Sequence, residues 1–200
     1  MSAQGVISIV AAVLAGAACA AAILLPRRGV VIPALFVQFG CAATLLSSLP
    51  VALAIAYAAV GACVCGILAV TKSREEPADA SQAVVVPSGL TFRLVAVLLV
   101  GLASAALSRQ VLGTQEGAGL GEPLGAGLLF GLGLLHLGLS EEPLRVGAGL
   151  LSMLGGFQIG YARVEPSVAL HGLLIALPLL IALVVAYLIT LSPASPESRA

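Results

Sequence analysis

Residues Val168–Leu191 read VALHGLLIALPLLIALVVAYLITL, 24 positions without one charged side chain. A helix needs about 20 predominantly apolar residues to cross the hydrocarbon core of a bilayer. The apolar residues are continuous rather than alternating, which selects a helix over a strand of a membrane barrel. The rest of the chain has the same character. Of its 200 residues, 60% are hydrophobic and 9% are charged, and the mean hydropathy is +1.15. An average globular chain carries about 25% charged residues. Nine basic residues balance nine acidic ones, so no net field attracts a nucleic acid. The hydrophobic content excludes intrinsic disorder. The remaining class is an all-α, polytopic membrane protein.

Working outward from Val168–Leu191 gives about seven transmembrane helices. The first covers Gly5–Leu25 and stops at Pro26-Arg27-Arg28, the second covers Val30–Leu49 and the third Val51–Val70. Residues 1–71 therefore hold three N-terminal helices. The polar linker, 72–89, opens with KSREEPADASQAVVV (Lys72–Val86), which has five charges within its first eight residues and Pro77. A fourth helix follows within 90–108, then a glycine-rich loop, RQVLGTQEGAGLGEP (109–123). Residues 123–192 contain the last three helices, Leu124–Leu139, Leu144–Ala162 and Val168–Leu191, and 193–200 read as a disordered tail. The N-terminal run has no charged region ahead of it and reaches Arg27 unbroken, so it reads as an uncleaved helix rather than a secretory signal. Seven crossings put Arg27, Arg28, Lys72, Arg74, Arg93, Arg145 and Arg199 on one side and only Arg109 and Arg163 on the other. Basic loops stay in the cytoplasm. The N-terminus is thus expected outside, and the C-terminus and the linker in the cytoplasm, with the cell inner (cytoplasmic) membrane as the location.

Few side chains inside these runs can do chemistry. Cys63 and Cys65 are two apart, about 200° around a helix, so they cannot face one metal together. Cys19 and Cys41 likewise read as small hydrophobes. His136 and His171 fall at opposite faces of the membrane, which argues against a shared haem. Gln38, Tyr57, Gln158 and Tyr161 are the other polar groups at depth, and such groups usually bond a neighbouring helix. No Asp, Glu or Lys lies in the middle of a span, whereas ion paths normally use them. Gly127 and Gly131 form one GxxxG pattern and Gly156 and Gly160 another, which predicts close packing of the fifth and sixth helices. No nucleophile–base pair, phosphate loop or metal-ligand set is present. No catalytic, cofactor or metal residue is expected, and the chain is not read as an enzyme by itself.

The segment 133–167, GLLHLGLSEEPLRVGAGLLSMLGGFQIGYARVEPS, with the apolar helix after it, is more specific. A leucine- and glycine-rich helix end meets the turn Ser140–Arg145, and the next helix continues as Gly149-Leu150-Leu151-Ser152-Met153-Leu154. This resembles the three-helix core of the NuoK-type subunit of bacterial complex I. It is also similar, in length and helix number, to component E of hydrogenase-4 and formate hydrogenlyase complexes, which place extra helices before that core. Arg28 and Gln38 correspond to that family's early basic turn and Gln-containing helix. Several positions depart from it. The carboxylate of the family's G-L-E-x-M-L segment falls on Leu151 and its second buried glutamate near Leu179. Its lysine of an early helix falls near Cys63, and Glu141-Glu142 replace a basic pair. The resemblance therefore implies a retained fold without the central ionisable chain.

The expected role is a non-catalytic membrane-arm subunit of a complex I-like or group 4 hydrogenase-like redox assembly. Its partners would be antiporter-like and other membrane subunits and the lipid bilayer, with no nucleic acid. Gln158, Tyr161 and His136 are the candidates for a polar water path, since neutral groups can order water. Glu141, Glu142 and Arg145 are candidates for cytoplasmic subunit contacts. The rival is a stand-alone small permease or exporter. Such proteins often show internal repeats and polar groups at the midplane, and this sequence shows no three- or four-helix repeat.

Overall fold

A computed structural model describes residues 3–25, 28–46, 50–74, 89–114, 119–165 and 167–191. They form α1 (Ala3–Leu24), α2 (Arg28–Leu45), α3 (Val51–Arg74), α4 (Leu90–Thr114), α5 (Gly121–Gly138), α6 (Pro143–Tyr161) and α7 (Val168–Leu191). The class is all-α, as the continuous apolar runs require. Four segments, Ala3–Leu24, Val51–Lys72, Leu90–Val111 and Val168–Leu191, are long and apolar enough to cross a membrane. Leu98, Leu99 and Leu102 of α4 and Leu173, Leu180 and Val184 of α7 are more than half exposed. Water would penalise such apolar faces, whereas lipid accepts them, and the chain is a membrane-embedded multi-pass protein by these features.

Several helix ends differ from the sequence expectation. The linker was expected from Lys72, but α3 runs on to Arg74, because basic residues suit a helix C-terminus. The linker residues 75–88 and the tail 192–200 lie outside the described residues. The fourth helix was expected to end by residue 108, yet α4 reaches Thr114. The Ser108 hydroxyl bonds the Ser104 carbonyl within the helix at 2.6 Å, and Arg109 and Gln110 are good helix formers. Polarity alone does not stop a helix. At its other end α5 starts at Gly121 rather than Leu124, since Pro123 sits in the first turn, where its missing N–H is harmless. Two separate helices flank Pro50, whose carbonyl accepts the Leu53 N–H at 2.8 Å.

The helices stack as two layers. In each, neighbours in sequence are neighbours in space: α1 beside α2 beside α3, and α5 beside α6 beside α7. Between layers, α1 lies on α5, α2 on α6 and α3 on α7. Ser8 meets Gly121, Ala12 meets Gly125 and Leu128 meets Gly16, so α1 and α5 run parallel, start beside start. Cys65 against Ile32 sets α3 antiparallel to α2. Gly147 against Val185 does the same for α6 and α7. Each layer thus has the same order and direction. The connecting helix is α4, antiparallel to α5, with Ser104 at Gly127 and Val100 at Gly131. The sequence shows no repeat because the layers share a helix arrangement and not residues. The core is the seam between them, with Ala15 and Cys19 (α1), Leu35 and Phe39 (α2), Tyr57 and Leu68 (α3), Leu129 (α5), Ala148 and Leu151 (α6) and Val185 (α7).

Helices α5 and α6 are close partners, as expected, but through other glycines on α5. A Cβ on Gly156 would strike the backbone of Phe130 and the Ala126 carbonyl, and one on Gly133 would strike Met153 and the Gly149 carbonyl. Gly127 and Gly131 instead face Ser104 and Val100 of α4. The contacting small residues are Ala126 and Gly133 on α5, with Gly149 and Gly156 on α6. Their seven-residue spacing keeps them on one seam of an antiparallel pair.

Candidate functional site

A buried polar cluster lies in the seam. Ser152 is at the midpoint of α6, nine residues from either end. Its hydroxyl is 2.6 Å from Gln38 Oε1 of α2 and 2.8 Å from the Ala148 carbonyl. The Cys19 thiol of α1 lies beside Ser152 and Gln38. Ser152, Gln38 and Cys19 are all buried. Beside them is a cavity of about 10 Å³, lined among others by Gln38, Tyr57, Leu151, Ser152 and Gly155. The Tyr57 ring is fixed against Phe39, with centroids 5.4 Å apart. Helices of both layers meet here, so α1, α2, α3 and α6 each supply one polar side chain.

The three residues expected along a water path are not brought together. Gln158 and Tyr161 lie at the C-terminal end of α6, and His136 lies in the last turn of α5, at the opposite end of the bundle. Gln158 is occupied structurally. Its Nε2 donates to the Leu174 carbonyl of α7 at 2.5 Å. Pro178, four residues on, has no N–H for that carbonyl, so the glutamine side chain stands in for the missing backbone donor. Tyr161 stacks on Phe157 at 5.5 Å and faces the His171 ring at 5.9 Å. His171 Nδ1 is 2.9 Å from the carbonyl of Ser167, the residue just ahead of α7. His136 is buried, neither ring nitrogen has a partner among the described residues, and Arg145 and Arg93 are its charged neighbours.

Arg145 points inward. Its Nη2 donates to the Leu25 carbonyl at the end of α1 at 3.0 Å, and its Nε is 3.5 Å from Glu142 Oε2. Arg93 Nη1 donates to the Ile23 carbonyl at 3.5 Å. Two guanidinium groups from α4 and α6 thus satisfy carbonyls that α1 leaves open at its C-terminus. Glu141 is exposed at the same turn. At the other end, Arg163 pairs with Glu122 at 3.7 Å. Among the described residues no group of three or more His, Cys, Asp or Glu side chains could hold a metal, and Cys63 is exposed while Cys65 is buried.

Sequence reasoning flagged Gln38 and Tyr57 as polar groups at depth but did not single out Ser152, which appeared only within an apolar motif. A hydroxyl at the centre of an otherwise apolar helix was the available signal. Comparison with protein-family profiles, with curated proteins and with solved structures gives no match to this chain. The resemblance of residues 133–188 to complex I-type subunits therefore rests on the quoted motifs.

Proposed function

We propose that this protein is a non-catalytic membrane-arm subunit of a complex I-like or group 4 hydrogenase-like ion-translocating redox assembly, whose task is helix packing and assembly. One observation carries the reading. The buried polar side chains among the described residues are Gln38, Ser104, Ser108, His136, Ser152, Gln158 and His171, with no carboxylate and no amine. Leu151 and Leu179, which take the places of the family's glutamates in the resemblance, sit in or against the apolar core. A bundle built this way seals the bilayer and positions neighbours without a buried carboxylate or amine among its described residues. In this reading all seven helices cross the inner membrane, N-terminus outside and C-terminus in the cytoplasm. At 1.5 Å per residue, the 18 residues of α2 and of α5 span ~27 Å, close to the ~30 Å hydrocarbon core. Exposed apolar faces such as that of α4 would meet lipid and antiporter-like subunits.

One feature favours the second reading, a stand-alone small permease or exporter. Layers repeated in one orientation with a polar site at mid-depth between them are a transporter arrangement. Purification of the tagged full chain in mild detergent separates the two. Co-migration with antiporter-like or quinone-reactive subunits in a large complex is the outcome expected for a membrane-arm subunit. Recovery as a small homogeneous species that exchanges a solute in liposomes contradicts it and supports the permease.

A further inference from the structure

We propose that the seam between the two layers contains a binding site for a single water molecule, framed by Tyr57, Gln38 and Ser152 and kept open by Gly155. The site does not depend on which assembly the chain joins. The cavity of about 10 Å³ is close to the smallest void that accepts one water, about one probe sphere, and a water there needs two to four polar partners. The lining supplies them. Tyr57, Gln38 and Ser152 are 2%, 4% and 3% exposed, so these partners are cut off from bulk solvent. The hydrogen bonds of the cluster run from Ser152 to Gln38 and to the Ala148 carbonyl, and neither uses the Tyr57 hydroxyl. A water in the cavity accepts a hydrogen bond from the Tyr57 hydroxyl and donates to Gln38 or Ser152 oxygen, which gives it the polar partners it needs.

Gly155 makes the space. A Cβ added there would meet a single atom within 4 Å, the Tyr57 Oη at 3.1 Å. Most of the bundle's core glycines meet packed neighbours (Gly133 and Gly156 meet backbone), whereas Gly155 faces a hydroxyl across the void. One methyl group at this position occupies the place a water would take. The ligand class follows from the size: the void accepts water and excludes any organic solute or hydrated ion.

Radiolytic footprinting of the full chain in lipid nanodiscs reads this directly, because X-ray-generated hydroxyl radicals from a bound water oxidise the side chains touching it even where bulk solvent does not reach. Tyr57 is expected to be oxidised in the wild type well above the level of the buried Leu68, and Gly155→Ala is expected to lower that oxidation several-fold. Gln38→Leu, which strips an amide from the lining without filling the void from the same side, should lower it too and serves if Gly155→Ala does not insert. Tyr57 oxidation no higher than Leu68 in the wild type overturns the proposal, as does oxidation unchanged in both variants.

Discussion

Gln158 donates its Nε2 to the Leu174 carbonyl of α7, which loses its backbone donor to Pro178. A hydrogen bond between membrane helices contributes about 1 kcal/mol. Gln158→Leu is accordingly expected to lower unfolding stability in bicelles by about 1 kcal/mol, since the acceptor is left bare. In a Pro178→Ala background the backbone N–H returns, and the same substitution should cost markedly less. Equal losses in the two backgrounds would show that the glutamine does not serve the proline break. Proline 178 was visible in the sequence, and so was the carbonyl four residues before it. Which helix would answer it was not, because that depends on how α6 lies against α7.

At the scale of elements, periodicity and apolar length reveal every helix, while ends and faces follow from local chemistry that composition averages away. The glycine patterns correctly paired α5 with α6, but Gly127 and Gly131 turned out to face α4. A GxxxG spacing marks one close face of a helix without saying which neighbour takes it. Backbone lies where a Cβ on Gly156 or Gly133 would go, whereas a Cβ on Gly160 would rest 3.7 Å from that of Ala126. Gly156→Ala and Gly133→Ala are each expected to cost about 1–3 kcal/mol through overpacking, and Gly160→Ala should be near neutral. Thermal unfolding of the three variants in detergent measures this. A Gly160→Ala loss as large as that of Gly156→Ala would mean that α5 and α6 are not in this register.

For the whole molecule, the membrane class was legible from eighteen charges in 200 residues, but the two-layer stack was not. Its layers correspond in helix order and direction, and side-chain pairs such as Ser8–Gly121, Ala12–Gly125 and Gln38–Ser152 expose the correspondence. The basic residues that suggested an orientation also do structural work, as Arg93 and Arg145 close the end of α1. In the proposed role this bundle supports an ion-translocating assembly by packing and not by supplying a proton-relaying group. Reconstituting the assembled complex in liposomes and measuring protons moved per electron, for the wild type and for a Gln158→Leu, His136→Leu double variant, tests it most directly. An unchanged ratio is expected wherever the variant complex assembles. A fully assembled variant complex that transfers electrons but no longer moves protons would contradict it.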